Sequence, residues 1–129
     1  MLFRSYFRLK AKRLRNFVIW LVERFDGSIA AMAASSLSSL REELLEINGI
    51  GPETADSILL YAVGLPTFVV DAYTHRIAAR HGWIDREARY DELKDYFESR
   101  LPDDPQLFNE MHALLVQVGK RFCRPRETR

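Results

Sequence analysis

Apolar residues recur along most of this chain at intervals of three and four, the spacing that gathers side chains on one side of a helix. Leu14, Phe17, Val18, Leu21, Val22 and Phe25 form one such stripe, on a helix predicted to stop at Asp26-Gly27. A short helical stretch is expected around Ile29–Ala34. Ser39 and Glu42 have the form of a capping box, which predicts a helix through Leu40, Leu44 and Leu45 that ends before Asn48-Gly49. Pro52, whose missing N–H costs nothing in a first turn, restarts a helix after Gly51, and Gly64 marks its end. Past Leu65-Pro66 runs the short apolar segment Phe68-Val69-Val70. Asp71 follows as a good N-cap for a helix through Ile77 that closes at His81-Gly82. Tyr90, Leu93, Phe97 and Leu101 define one more helix, and Asp104-Pro105 opens a last one through Leu107, Met111, Leu114, Leu115, Val118 and Phe122. No strand alternation extends beyond a few residues and no internal repeat is visible. The pattern predicts an all-α protein.

Length and composition fit that picture. A chain of 129 residues with 47% apolar and 29% charged residues has the size of one domain and the make-up of a folded protein, which excludes disorder. Such a chain buries roughly two-thirds of its unfolded surface without covalent staples. Its single cysteine, Cys123, rules out an intrachain disulfide framework. No apolar run approaches the about 18 residues of a membrane span, and the start is too basic throughout for a signal peptide, so a cytoplasmic protein is expected. The net charge of +1 conceals a division: residues 1–15 and 120–129 hold 11 basic residues against one acid, and the stretch between holds 8 against 17. Basic ends on an acidic body make two patches able to hold a polyanion. Solvated helix faces explain the same numbers.

The segment richest in chemistry is helix, Ile47-Asn48-Gly49-Ile50-Gly51, helix. Two glycines two apart let the backbone turn tightly and approach another molecule closely. The amides of Gly49, Ile50 and Gly51 and of the next helix's first turn, Thr54 included, lack intrahelical acceptors and form a small anion site suited to phosphate. A plain turn between antiparallel helices satisfies the same residues.

The run Leu44-Leu45-Glu46-Ile47-Asn48-Gly49-Ile50-Gly51-Pro52-Glu53-Thr54-Ala55, followed one helix later by Val69-Val70-Asp71-Ala72-Tyr73-Thr74-His75-Arg76, resembles the helix-hairpin-helix of the endonuclease III superfamily of DNA glycosylases. The likeness extends from about Tyr6 to Cys123. Within the superfamily, Gly-Ile-Gly-Pro-Glu-Thr-Ala-Asp and Val-Val-Asp-Ala-Tyr are most similar to the monofunctional, 3-methyladenine-removing branch. The resemblance implies a hairpin lobe over residues 1–65 and a second helical lobe over 66–129, with Asp71 at the cleft between them. It implies base excision repair on double-stranded DNA carrying a damaged base, by a monomer, nucleoid-associated if bacterial. It further implies phosphate held by Gly49, Ile50, Gly51 and Thr54, with an alkali cation on the hairpin carbonyls.

Breaking a base–sugar bond builds positive charge on the sugar, which a fixed carboxylate beside C1′ stabilises; Asp71 is the candidate. An N-cap role, worth about 1 kcal/mol, is compatible with it. Where bifunctional members carry a Schiff-base lysine, two residues after the second hairpin glycine, this chain has Glu53. A carboxylate forms no imine, so base removal without efficient strand cleavage is expected. Glu53 reads as a favourable first-turn charge, or as a second acid in the cleft, and the resemblance places Tyr61 and Tyr73 near that cleft as weaker candidates for lining it. Cys123 falls at the first ligand position of the family's iron–sulfur loop, whose next cysteine would stand at position 130, beyond the last residue. A chain truncated at both ends, with no [4Fe–4S] cluster here and one in a full-length form, is the expectation; a lone cysteine is the alternative. His75, His81 and His112 lack metal-ligand spacing and read as surface or capping residues, and Trp20 and Trp83 as core or boundary residues. The competing functional readings are a non-catalytic helix-hairpin-helix DNA-binding module and an inactive remnant.

Overall fold

The structure, a computed structural model, describes residues 2–122, with side chains from residue 7 onward. Among the described residues every regular element is a helix: α1 (Leu2–Phe25), α2 (Ile29–Ala33), α3 (Leu37–Glu46), α4 (Pro52–Ser57), α5 (Ala72–Arg80), α6 (Tyr90–Glu98) and α7 (Pro105–Phe122). The helix begun at α4 continues as wider, π-type turns over Ile58–Val63 before Gly64, at φ 81°, ends it. Among the described residues no helix is long and apolar enough to cross a membrane. The chain divides between Val63 and Gly64 into two compact units.

In the first unit Met32, Leu40, Leu44, Ile50, Ala55, Leu59 and Leu60 form the core. The stripe of α1 is buried less than its periodicity predicts. Leu21 is 8% exposed, but Leu14, Val18 and Val22 are 63%, 45% and 53% exposed. The start of α3 also differs from expectation. Ser36, not Ser39, is the N-cap, so Ser39 lies inside the helix and forms no capping box with Glu42. Starting at Leu37 places that half-buried residue on the same face as the buried Leu40 and Leu44.

In the second unit Phe68 stacks on Phe97 with ring centroids 4.7 Å apart and meets the edge of Phe108 at 5.7 Å. Leu93, Ile77, Ala78 and Leu115 complete this core. The extended segment Phe68–Val70 has no strand partner among the described residues, and the amides of Phe68 and Val70 are satisfied by side chains. Phe68 N–H donates to Glu98 Oε2 at 2.8 Å and Val70 N–H to the Tyr90 hydroxyl at 3.2 Å. Both acceptors lie on α6, which fixes the path of the chain into Asp71. Leu101 falls beyond the end of α6, where Arg100 turns back to donate to the Tyr96 carbonyl.

Candidate functional site

The hairpin is built by local hydrogen bonds and braced by its neighbours. Ile47 leaves the helical conformation, and the Ile50 N–H donates to its carbonyl at 3.1 Å, closing the turn. Gly49 sits at φ 96°, a left-handed conformation that suits glycine. Its α-carbon also lies so close to α1 that a β-carbon would overlap Arg13 Cγ. Gly49 is thus demanded twice over by the fold. Asn16 on α1 donates its side-chain N–H to the Asn48 carbonyl at 3.0 Å. Arg41 on α3 grips Asp56 on α4 through two bonds, of 2.9 and 3.2 Å, and Asp56 is fully buried. That bidentate pair ties together the two helices that the hairpin joins.

Gly51 is a different case. As the N-cap of α4 it has φ −94° and ψ −179°, a conformation open to any residue, and a β-carbon there would meet nothing within 4 Å. The fold does not require a glycine at that position. The expectation for the amides needs one correction: the Ile50 N–H is spent inside the turn and its side chain is buried, so Ile50 supports the hairpin rather than presenting a donor. Gly51 and Thr54 are exposed at the start of α4, and Glu53 stands exposed in its first turn. An open groove of about 500 Å³ adjoins the hairpin, with Lys10 and Arg13 beside Leu14, Phe17, Ile50, Thr54 and Ile58.

In the second unit, Asp71 is the N-cap of α5. Its Oδ1 accepts from the Thr74 N–H at 2.9 Å and from the Thr74 hydroxyl at 3.0 Å. Its Oδ2 lies 2.9 Å from Nε2 of His112 on α7. Burial raises the Asp71 pKa, but the hydrogen bonds from His112 and Thr74 outweigh it, so the carboxyl titrates below its ordinary value of 3.8 and is ionised at neutral pH. Periodicity and capping signals locate Asp71 from sequence; His112, 41 residues away, they do not. Its spacing from the other histidines argues against metal ligation and carries no information about a carboxylate partner.

Tyr73 is held in the contact of α5 with α7. A β-carbon on Gly119 would collide with its ring, and the Arg76 guanidinium lies 5.2 Å from the ring centroid while donating to the Gly119 carbonyl at 3.4 Å. The other side of α5 forms an open groove of about 330 Å³ lined by Ala72, His75, Arg76, Ala79, Arg80 and Arg86, with no acid among the lining residues. Trp83 stacks on His81 at 5.2 Å, beyond the end of α5. Among the described residues no group of three or more His, Cys, Asp or Glu side chains is arranged to hold a metal. Cys123 lies outside the described residues. A [4Fe–4S] cluster needs four ligands, typically thiolates, and this chain supplies one cysteine, so its residues do not make up that site.

Residues 40–61 match the family model of the helix-hairpin-helix motif, the segment that runs from α3 through the hairpin. A Methanocaldococcus jannaschii protein named "Putative DNA repair glycosylase MJ1434" is 50% identical over 122 residues, covering 93% of this chain and 55% of that protein. Endonuclease III of Thermotoga maritima is 32% identical over 119 residues, covering 92% of this chain and 51% of its own length. Among solved structures, an endonuclease III–DNA covalent intermediate superposes with a TM-score of 0.75 over 96% of this chain and 55% of that one, at 21% identity. The chain has the endonuclease III-like fold and, over nearly its whole length, is similar in sequence to these helix-hairpin-helix proteins. It spans about half the length of the curated relatives it matches.

Proposed function

We propose that this chain carries the hairpin and the catalytic carboxylate of a DNA glycosylase that removes damaged, alkylated bases from double-stranded DNA without efficient strand cleavage. The observation that carries the reading is Asp71: a carboxylate kept ionised while partly withdrawn from water, fixed at a helix start by three hydrogen bonds. A charge so held is poised for a cation that develops beside it, because it needs no reorganisation at the moment of reaction. In the proposed reaction the C1′–N bond breaks with its electron pair leaving on the base. Asp71 stabilises the sugar cation, and water adds at C1′, its extra proton passing to solvent to leave the C1′ hydroxyl. The damaged base has to leave the stack to reach such a group.

Binding follows from the hairpin and the cationic groove. Gly51, exposed and without a structural need for glycine, allows a phosphate to approach the backbone at α4, with Gly49 shaping the turn and Thr54 beside it. Arg76, Arg80 and Arg86 add positive charge near α5, where backbone phosphates gain from it irrespective of sequence. Glu53, in place of a Schiff-base lysine, supports the monofunctional assignment. The chain acts as a monomer on DNA inside the cell. The test is incubation with duplexes carrying a single alkylated purine: release of the base, leaving an alkali-labile but intact strand, is expected. DNA binding with no release from any alkylated duplex would favour a non-catalytic binding module.

A further inference from the structure

The N-cap of α5 is complete without α7. Thr74 alone supplies two donors to Oδ1 of Asp71, which is all that starting the helix requires. The contact of His112 with Oδ2 therefore needs another account. An ionised carboxylate only accepts, so the hydrogen lies on Nε2 of His112 and the imidazole donates in either charge state. A carboxylate bound through one oxygen still turns about its last torsion. A donor on the second oxygen, rising from a different helix, fixes its plane.

The supporting helix is itself locked in place. Gly119 lets α7 close onto Tyr73, Arg76 donates to the Gly119 carbonyl, and Phe108 and Leu115 bury the same helix in the core. The side chains of His112 and Asp71 are 16% and 15% exposed, dry enough for a firm bond and open enough to reach a ligand. Other charged and titratable groups on the two helices are Tyr73, His75, Arg76 and Arg80 on α5 and Glu110, Lys120 and Arg121 on α7, with Tyr90 behind the preceding strand-like segment. Arg76 is turned towards Gly119 and Tyr73. Besides burial, the groups that act on the ionisation of Asp71 are His112 and Thr74.

We propose that His112 is the positioning residue of the Asp71 carboxylate, holding Oδ2 so that the charge faces the developing sugar cation in one orientation. This rests on the glycosylase reading of Asp71. The role asks of His112 a hydrogen-bond donor at the Nε2 position and nothing more. Glutamine carries an amide nitrogen at that reach, and alanine carries no donor.

The experiment compares His112→Ala, His112→Gln and Asp71→Asn with the wild-type chain in single-turnover excision on an alkylated duplex, together with DNA affinity and the NMR titration of the Asp71 carboxyl carbon. His112→Ala is expected to slow excision about 10- to 100-fold, the cost of a misaligned catalytic group, with affinity unchanged within about twofold. Its Asp71 titration should move upward, and His112→Gln should restore most of the rate. If Asp71→Asn abolishes excision while His112→Ala does not slow it, the proposal is overturned and the glycosylase reading stands. Equal impairment by alanine and glutamine assigns His112 to packing and also overturns it. An excision rate indifferent to Asp71→Asn, or no excision by the wild type, overturns the glycosylase reading itself, and this proposal with it.

Discussion

Gly49 packs its α-carbon against the Arg13 side chain, on a backbone at φ 96°, so the hairpin and α1 meet where no larger residue fits. Two residues on, Gly51 meets nothing and has an ordinary backbone conformation. The two glycines of one motif therefore answer to different demands, one from within the chain and one from outside it.

Alanine at each position separates those demands. Gly49→Ala should lower stability by about 1 to 3 kcal/mol, through the left-handed backbone and the displacement of Arg13. Gly51→Ala should leave the melting temperature unchanged and weaken binding to all duplexes alike. Denaturant titration and salt-dependent DNA binding of the two variants check this. A Gly51→Ala protein with wild-type affinity would reduce that part of the hairpin to a turn.

Breaking the brace between α3 and α4 should be costly. Arg41→Ala removes the bidentate partner of a fully buried carboxylate, and such losses run to about 3 kcal/mol or more. Urea denaturation measures it. A loss below about 1 kcal/mol would show that the pair contributes little to holding the hairpin.

Glu53 predicts the outcome of borohydride trapping. On abasic-site DNA no covalent adduct should form at the start of α4, because a carboxylate yields no reducible imine. An adduct mapped by peptide analysis to any amine in the first unit would contradict the monofunctional assignment.

The ionisation of Asp71 links stability to pH. Its folded pKa is lowered, so the stabilisation it contributes is present in full above its unfolded value near 3.8 and disappears as the pH falls through the lower folded value. Asp71→Asn should melt below the wild type at neutral pH, and the gap should close in acid. A gap independent of pH between 7 and 2 would mean that charge is not what the cap uses.

The parts of this fold legible in sequence are those written in local spacing. The break at Asp26-Gly27, the restart at Pro52 and the cap at Asp71 each depend on residues within a few positions of one another, and all three stand in the structure. Serine signals alone misplace the start of α3, since Ser36 and Ser39 are equivalent as cap residues and the helix begins at Leu37, on the face of Leu40 and Leu44. The exposure of Leu14 and Val22 is likewise invisible to periodicity, which reports that a face is apolar and not what covers it. Asp71 is legible because capping is local; His112, Tyr90 and Glu98, which fix Asp71 and the segment leading to it, lie on other helices and come into view only when the chain is folded.

The account turns on whether the Asp71 charge does chemistry or only starts a helix. Asp71→Asn keeps the size and much of the capping ability of the residue and removes its charge. Single-turnover excision on alkylated duplex DNA should fall by about 100-fold or more at a temperature where the variant stays folded, with DNA affinity unchanged or raised, because a negative charge near the phosphates has been removed. Equal excision rates for Asp71→Asn and the wild type would take Asp71 out of the mechanism.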